Sequence, residues 1–488
     1  MEQTERNLTM LTDLYQLTMM YGYYKSGNTE KEAVFDLFFR ETGNHRAYAV
    51  LCGIESIIDY INNLRFTDAD IAYLRSLNLF DEDFLSYLKN FKFTGDIYAM
   101  PEGTVVFPME PLVRVRAKML EAQFIETALL VFVNHQTSIA SKASRIKHAA
   151  GDDAVVEFGL RRAHGADAGT LGARAAIIGG CSGTSNVLCG QLYGSEVKGT
   201  HAHSWVMSFE SELEAFRAYA RCFPNACMLL VDTYDTLKSG VPNAITVFRE
   251  LREQGYTKNF GIRLDSGDLA YLSKEARKML DEAGFPDAKI FASSDLDEYV
   301  IRELKTEGAK IDFWGVGTRL ITSSDYPVLG GVYKLSAEIE DGVIIPKIKI
   351  SDNPIKTTNP GYKKVFRLYS KHNDYALADV IALDDEVIDD TRPLKLYHPE
   401  QRYKSMVLVN FYARELLQPI FLNGKQVYQS PSLEEICEYA RKEIGHFWDE
   451  YKRLLNPQVY KVDLSDKLYD LKQSMIASIK NSNEHHEV

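Results

Sequence analysis

One pattern limits the fold of this chain more than any other. Short apolar runs recur through the middle of the sequence. Each closes in a polar or glycine cluster, and each is followed by a helical pattern. The runs are Val155–Arg161, Ala176–Gly180, Met228–Asp232, Phe260–Asp265, Lys289–Ser294 and Phe313–Thr318. The last four close about 24–33 residues apart, which leaves room for one helix between strands. Near-continuous apolar strands separated by helices predict a parallel sheet covered by helices. So many units in succession favour a β/α barrel over an open sheet.

The rest of the chain reads differently. Thr12–Gln16 opens a helix that ends near Gly27, and Ala33–Arg40 reads as a strand. Pro101–Pro108 reads as a turn and a short strand, and a helical pattern begins at Gln123. After Gly330-Gly331 the pattern turns to β, with an Asp341-Gly342 hairpin signal and an alternating run at Lys347–Ile350. Ser432–Glu435 reads as a capping box. It opens a helix with Ile436, Ala440, Ile444, Phe447, Tyr451 and Leu454 on one face, and Pro457 ends it. The expected class is therefore α/β: an irregular β/α barrel with an N-terminal α+β domain and a C-terminal β-rich and helical region. The expected limits are residues 1–122, 123–335 and 336–488. The last region is expected to pack on the first.

With 488 residues the chain needs more than one core. A net charge of −12 disfavours general nucleic-acid binding, which draws on basic phosphate contacts. The six cysteines form no CxxC pair and no zinc spacing, so buried thiols in a reducing compartment are expected. The polar start Met1–Arg6 lacks the apolar stretch of a signal peptide, and Phe124–Val133 is too short to span a bilayer. These features predict a cytoplasmic protein with no membrane partner. The polar tail, with His485 and His486, is expected to be solvated.

In a β/α barrel the C-terminal strand ends face the active site. Here those ends carry Arg161, Asp232, Arg263, Asp265, Ser294, Asp295, Gly317 and Thr318. Such charge at apolar strand ends suits a site better than a packed core, although a structural ring of ion pairs would use the same residues. Gly315-Val316-Gly317-Thr318 offers backbone N–H groups before a helix, a phosphate cradle. Gly330-Gly331 is either a second close approach to ligand or a simple turn. Asp265-Ser266-Gly267-Asp268 suits ribose hydroxyls or Mg²⁺ held through phosphate, and an N-cap is the alternative. Gly199–Ser204 places His201 and His203 in a polar loop with Thr200 and Ser204. No third ligand accompanies the pair, so acid–base or nucleophilic work is favoured over a metal.

Seven blocks in order resemble the nicotinate phosphoribosyltransferase family. They are Leu11–Gln16, Glu157–Arg162, Gly199–Ser204, Val231–Tyr234, Ile262–Asp268, Gly315–Thr318 and Leu329–Leu335. The resemblance implies conversion of nicotinate and phosphoribosyl pyrophosphate to nicotinate mononucleotide and pyrophosphate, in NAD biosynthesis. It implies coupling to ATP hydrolysis through a phosphohistidine, with ATP and Mg²⁺ as cofactors. The phosphorylated position of the family falls on His203, whereas His201 occupies a variable position and receives no role. Asp265 would hold the ribose hydroxyls, and Asp232 would support the reacting region. Gly317 and Thr318 match the 5′-phosphate cradle.

The base would stack on Phe158, and Tyr15 resembles a residue that covers the other face from a partner subunit. A homodimer is therefore expected. Arg161 and Arg263 would pair with the carboxylate or with phosphates. Thr200, Ser204 and Ser294 complete the expected substrate-binding set. Ser185 stands where nicotinamide-using relatives carry an Asp. A carboxylate there would repel nicotinate, and a hydroxyl would not. Three rivals are a nicotinamide phosphoribosyltransferase, a barrel lyase or isomerase acting on a sugar phosphate, and a nucleotide sensor without turnover. Use of the amide alone, absence of ATPase, and absence of pyrophosphate release would respectively point to them.

Overall fold

The structure is a computed structural model that describes residues 7–484, apart from Asn44 and Glu400. His485 and His486 lie outside the described residues. The chain divides into two compact units, one of residues 138–327 and one made of the segments up to 137 and from 328. The architecture is α/β, with a parallel sheet in the first of these units and mainly antiparallel sheets in the other.

The 138–327 unit holds six strands, Ala154–Glu157, Gly183–Thr184, Met228–Leu230, Gly261–Leu264, Lys289–Ser294 and Phe313–Val316. Their hydrogen-bonded order places Gly183–Thr184 at one end. Then come Ala154–Glu157, Phe313–Val316, Lys289–Ser294, Gly261–Leu264 and Met228–Leu230. Every neighbouring pair is parallel. Helices Ala166–Ile178, Val241–Glu253, Leu269–Glu282 and Glu298–Thr306 lie between strands in the chain. The apolar runs form strands because both sheet faces are covered: Val155, Val156, Ile262, Ile290, Trp314 and Val316 are fully buried.

One expected strand is a helix. Ala176–Gly180 is the last turn and exit of helix Ala166–Ile178, and the strand beside Ala154–Glu157 is the shorter Gly183–Thr184. A helix buried on all sides reads like a buried strand, and only length separates the two. The small residues are needed for packing: a Cβ on Gly179 would stand 2.3 Å from the Ala140 carbonyl oxygen.

In the other unit, strand Glu32–Phe39 sits centrally in a seven-stranded antiparallel sheet. It pairs on one side with Val113–Lys118 and on the other with Gly331–Glu340, so distant parts of the chain share one sheet. Asp341 and Gly342 both take positive φ and close the hairpin to Val343–Pro346. Lys347–Ile350 is not a strand, contrary to expectation. Pro346 has no N–H to continue the ladder, and one bond from the Lys347 N–H to the Ser336 carbonyl is made before the chain departs.

A second sheet of six strands spans residues 363–464. The capping box of Ser432 and Glu435 forms as expected, but the helix ends at Gly445 rather than near Pro457. The His446 carbonyl accepts the Ala376 N–H, and its Nδ1 lies 2.7 Å from the Asp374 carbonyl oxygen. These bonds tie His446 to the start of strand Ala376–Leu383 and to the residue before Tyr375, where the helix has ended. No helix among the described residues is long and apolar enough to cross a membrane.

Candidate active site

The strand ends of the parallel sheet converge on one cavity of about 610 Å³. Phe158, Arg161, Ser185, Thr200, Arg263, Asp265, Ser294, Gly317 and Thr318 all line it. These nine expected residues thus come together from six separate segments, whereas His203, Ser204 and Asp232 are not among the lining residues.

The floor is aromatic. Phe158 follows strand Ala154–Glu157 and stacks on Phe291, with centroids 5.3 Å apart and planes at 22°. Phe291 stacks in turn on Phe313 at 6.1 Å and 11°. Gly315 makes this possible, since a Cβ there would stand 2.7 Å from Phe291 and 2.9 Å from Phe158. A flat ligand can lie against such a plate by offset stacking.

Two guanidinium groups face the same space. Arg161 lies in a single turn of 3-10 helix, Leu160–Arg162, rather than on the strand itself. Arg263 lies within strand Gly261–Leu264. Its Nη1 donates to Thr200 Oγ1 at 2.6 Å, and its Nη2 lies 3.6 Å from Asp265 Oδ1. Burial pulls Arg263 below its ordinary value, and Asp265 and Asp232 oppose that shift. The side chain stays cationic, because an arginine starts so far above neutral pH. A partly desolvated cation of this kind favours a bound anion.

The carboxylates are tied to one another. Asp232 Oδ2 accepts the Asp265 N–H at 3.0 Å and the Ser266 hydroxyl at 2.6 Å. Asp265 Oδ1 accepts the Ser293 hydroxyl. Asp268 serves as an N-cap, taking the Tyr271 N–H at 3.0 Å, so the alternative reading applies to that residue. Asp295, expected at a strand end, also lines the cavity, and so does Ser293, which the sequence reading did not single out.

The two histidines separate clearly. His203 Nε2 lies 3.2 Å from Asp232 Oδ1, and the imidazole is about two-fifths exposed at the start of helix His203–Met207. His201 is buried, and its Nε2 accepts the Leu230 N–H at 3.2 Å. Burial lowers its pKa to about 4, so it is neutral and structural near pH 7. Ser204 is exposed in the first turn of the same short helix as His203 and does not line the cavity.

The glycine cradle differs in one respect from expectation. The helix after Gly317 is only Thr318–Ile321, so its dipole is small and loop N–H groups must carry any phosphate contact. The facing loop is braced from behind. Asp297 caps helix Glu298–Thr306, accepting the Tyr299 and Val300 N–H groups at 3.0 and 2.9 Å. Glu298 is fully buried and pairs with Lys142 at 2.6 Å and Arg145 at 2.9 Å. The two cations together compensate this buried charge three residues beyond Asp295, and removing both would leave it unpaired.

Two expected features lie in the other unit. Gly330-Gly331 is a turn into strand Gly331–Glu340, and the Gly331 N–H is taken by Asn134 Oδ1 at 2.9 Å. Neither glycine lines the cavity. Tyr15 is 47% exposed on helix Leu14–Lys25, beside exposed Leu11, Leu14 and Met19. Burial of its inner part and the nearby Glu126 raise its phenol pKa, so it stays neutral.

Comparison with known proteins identifies the family of the chain. The family models for the nicotinate phosphoribosyltransferase N-terminal domain, the nicotinate phosphoribosyltransferase family, and its C-terminal domain match residues 10–134, 154–388 and 362–472. Nicotinate phosphoribosyltransferase of Bacillus subtilis is 50% identical over 97% of this chain and 96% of its own. The human enzyme of the same name is 32% identical over 96% of each chain. The crystal structure of human nicotinic acid phosphoribosyltransferase superimposes with a TM-score of 0.83 at 30% identity, covering 96% of this chain and all of that one.

Proposed function

The chain belongs to the nicotinate phosphoribosyltransferase family and carries its activity, and from this premise we propose the full reaction and its residues. Nicotinate, phosphoribosyl pyrophosphate, ATP and water give nicotinate mononucleotide, pyrophosphate, ADP and phosphate, in NAD biosynthesis. The observation that carries this reading is the single cavity with an aromatic plate, two guanidinium groups, and a glycine-rich loop at the ends of one parallel sheet.

Nicotinate lies on Phe158, with its carboxylate turned to Arg161 and Arg263. The pyridine nitrogen attacks the anomeric carbon as the bond to pyrophosphate breaks. That nitrogen carries no proton, so no general base is required. Positive charge develops at the ribose, and Asp265 lies where it can hold the hydroxyls and offset that charge. Loop N–H groups at Gly317 and Thr318 hold the 5′-phosphate, and Ser294 lies on the facing loop. Positioning and electrostatics do most of the work. Ser185 adds no charge beside the base, which favours the acid over the amide.

His203 accepts the γ-phosphoryl group of ATP. Its Nε2–H donates to Asp232, which leaves the Nδ1 lone pair free to attack phosphorus as ADP departs. Water later cleaves the N–P bond and restores the imidazole. This ATP-coupled step gives the enzyme a ligase-type stoichiometry. Among the described residues no group of three or more His, Cys, Asp or Glu side chains is arranged to hold a metal. Mg²⁺ would instead travel with the phosphates, with Asp265 and Asp295 as cavity carboxylates beside it. It would neutralise the charge of departing pyrophosphate.

The working unit is a homodimer in which Tyr15 of the partner subunit covers the second face of the base. The exposed apolar group Leu11, Leu14, Tyr15 and Met19 supports a protein–protein contact there. Exposed Val187, Leu188 and Leu192 on helix Val187–Tyr193 form a second such group. Product analysis with nicotinate, phosphoribosyl pyrophosphate and ATP, each omitted in turn, tests the reaction. Mononucleotide without any dependence on added ATP would refute the coupling.

A further inference from the structure

We propose that Glu157, which touches no substrate, is the positioning residue of the base slot, holding its floor and one wall from behind through a single carboxylate. The inference rests on the nicotinate reading of the cavity. Glu157 ends strand Ala154–Glu157 and is fully buried. Its Oε1 accepts the Gly159 N–H, and its Oε2 accepts the Thr184 hydroxyl at 2.6 Å. Thr184 Oγ1 accepts in turn the Asn186 N–H at 3.0 Å. The Glu157 carbonyl takes the Ser185 N–H at 2.9 Å. Phe158 therefore sits between two anchored residues, Glu157 and Gly159. Ser185 likewise sits between Thr184 and Asn186, which are both buried. Phe158 and Ser185 are the cavity-lining members of these two short segments.

The chemistry suits a clamp and not a reactant. Both carboxylate oxygens face donors, so the side chain serves as an acceptor at each end. Burial pushes the pKa of Glu157 up, and the bonds from Thr184 and Gly159 act against that shift. An apolar residue of similar size would leave the buried Gly159 N–H and the Thr184 hydroxyl without an acceptor, so the site is specific for a side chain with two acceptor atoms. Glycine at 159 is also required, because a Cβ there would stand 2.5 Å from Ile321 and 2.8 Å from Glu157 Oε1.

The test is steady-state kinetics of Glu157→Gln and Thr184→Val. Glu157→Gln removes one of the two acceptor atoms, and Thr184→Val removes the hydroxyl together with its bond from the Asn186 N–H, each with little change of shape. Each should raise the KM for nicotinate about tenfold, the loss expected for one buried hydrogen bond. The KM for phosphoribosyl pyrophosphate and the rate of ADP release should stay within about twofold. The double variant should be no worse than the more affected single one, since both act on the same bond. Nicotinate KM values unchanged in both single variants, or a parallel rise for both substrates, would overturn the clamp. The two readings fail separately. Wild-type enzyme that forms no nicotinate mononucleotide refutes the activity. Wild-type turnover with unaltered nicotinate KM values in both single variants refutes the clamp alone.

Discussion

His203 Nε2 stands 3.2 Å from Asp232 Oδ1, and that single contact fixes which ring nitrogen is free. Asp232 is almost fully buried, and its other oxygen is held by the Asp265 N–H and the Ser266 hydroxyl. It cannot rotate to follow the imidazole. The ring therefore keeps Nε2 toward Asp232, on an imidazole that is about two-fifths exposed.

This arrangement predicts the behaviour of two variants. His203→Ala should abolish phosphohistidine formation and ATP-coupled stimulation while leaving slow, uncoupled transfer. Asp232→Asn should retain the fold but lower the rate of phosphorylation roughly tenfold to a hundredfold, the worth of a hydrogen bond to a charged group. Acid-labile radiolabel from γ-labelled ATP measures both. Full labelling in His203→Ala would show that another residue is the acceptor.

Gly315→Ala should loosen the base slot. The added methyl must displace Phe291 and Phe158, which lie 2.7 and 2.9 Å from its position. Overpacking of this kind costs about 1–3 kcal/mol of stability. Denaturant unfolding should show that loss, and the KM for nicotinate should rise more than the KM for phosphoribosyl pyrophosphate. Equal effects on both would mean that the plate does not serve the base.

Much of this site was legible in the sequence, for a physical reason. Charged and glycine residues at the ends of buried apolar strands have no packing role to play, so Arg263, Asp265 and Gly317 identify themselves by position. The pairing of His203 with Asp232 was not legible, because the two lie on different segments and no periodicity links them. Glu157 was hidden for the opposite reason: it closes an apolar run and reads as part of the strand. Ala176–Gly180 misled because an alanine-rich helix buried on every side has no polar stripe to reveal its period. Gly330-Gly331 followed the simple-turn alternative for want of any neighbour at the cavity.

The neutral histidine gives a prediction about pH. The pKa of His201 falls to about 4 in the folded protein from an ordinary value of 6.5, chiefly through burial. His203 and Arg263 add like charge nearby, and Tyr219 packs against the ring at 4.7 Å. The unfolded chain therefore binds more protons between these two values. The stability due to this residue is complete above about pH 6.5 and declines as pH falls toward 4. His201→Gln keeps an acceptor for the Leu230 N–H but cannot titrate. Its unfolding free energy should fall less steeply than that of the wild type across this window. Identical slopes would assign the acid loss to other groups.

The dimer is tested most directly by complementation between two impaired proteins. Tyr15→Ala homodimers should bind nicotinate weakly, and His203→Ala homodimers should lack ATP coupling. If Tyr15 serves the neighbouring site, a mixed dimer of the two variants contains one site that lacks both groups and one that is intact. Mixing under conditions that exchange subunits should then restore coupled activity toward about one quarter of the wild-type level. That fraction follows from half the dimers being mixed, each with one working site of two, by the statistics of random pairing in a two-fold assembly. If Tyr15 acted within its own chain, every site in the mixed dimer would carry one defect. No restoration would follow at any ratio of the two proteins. The exposed apolar residues beside Tyr15 make the dimer itself the first thing to measure, and light scattering that reports a fully active monomer would refute it.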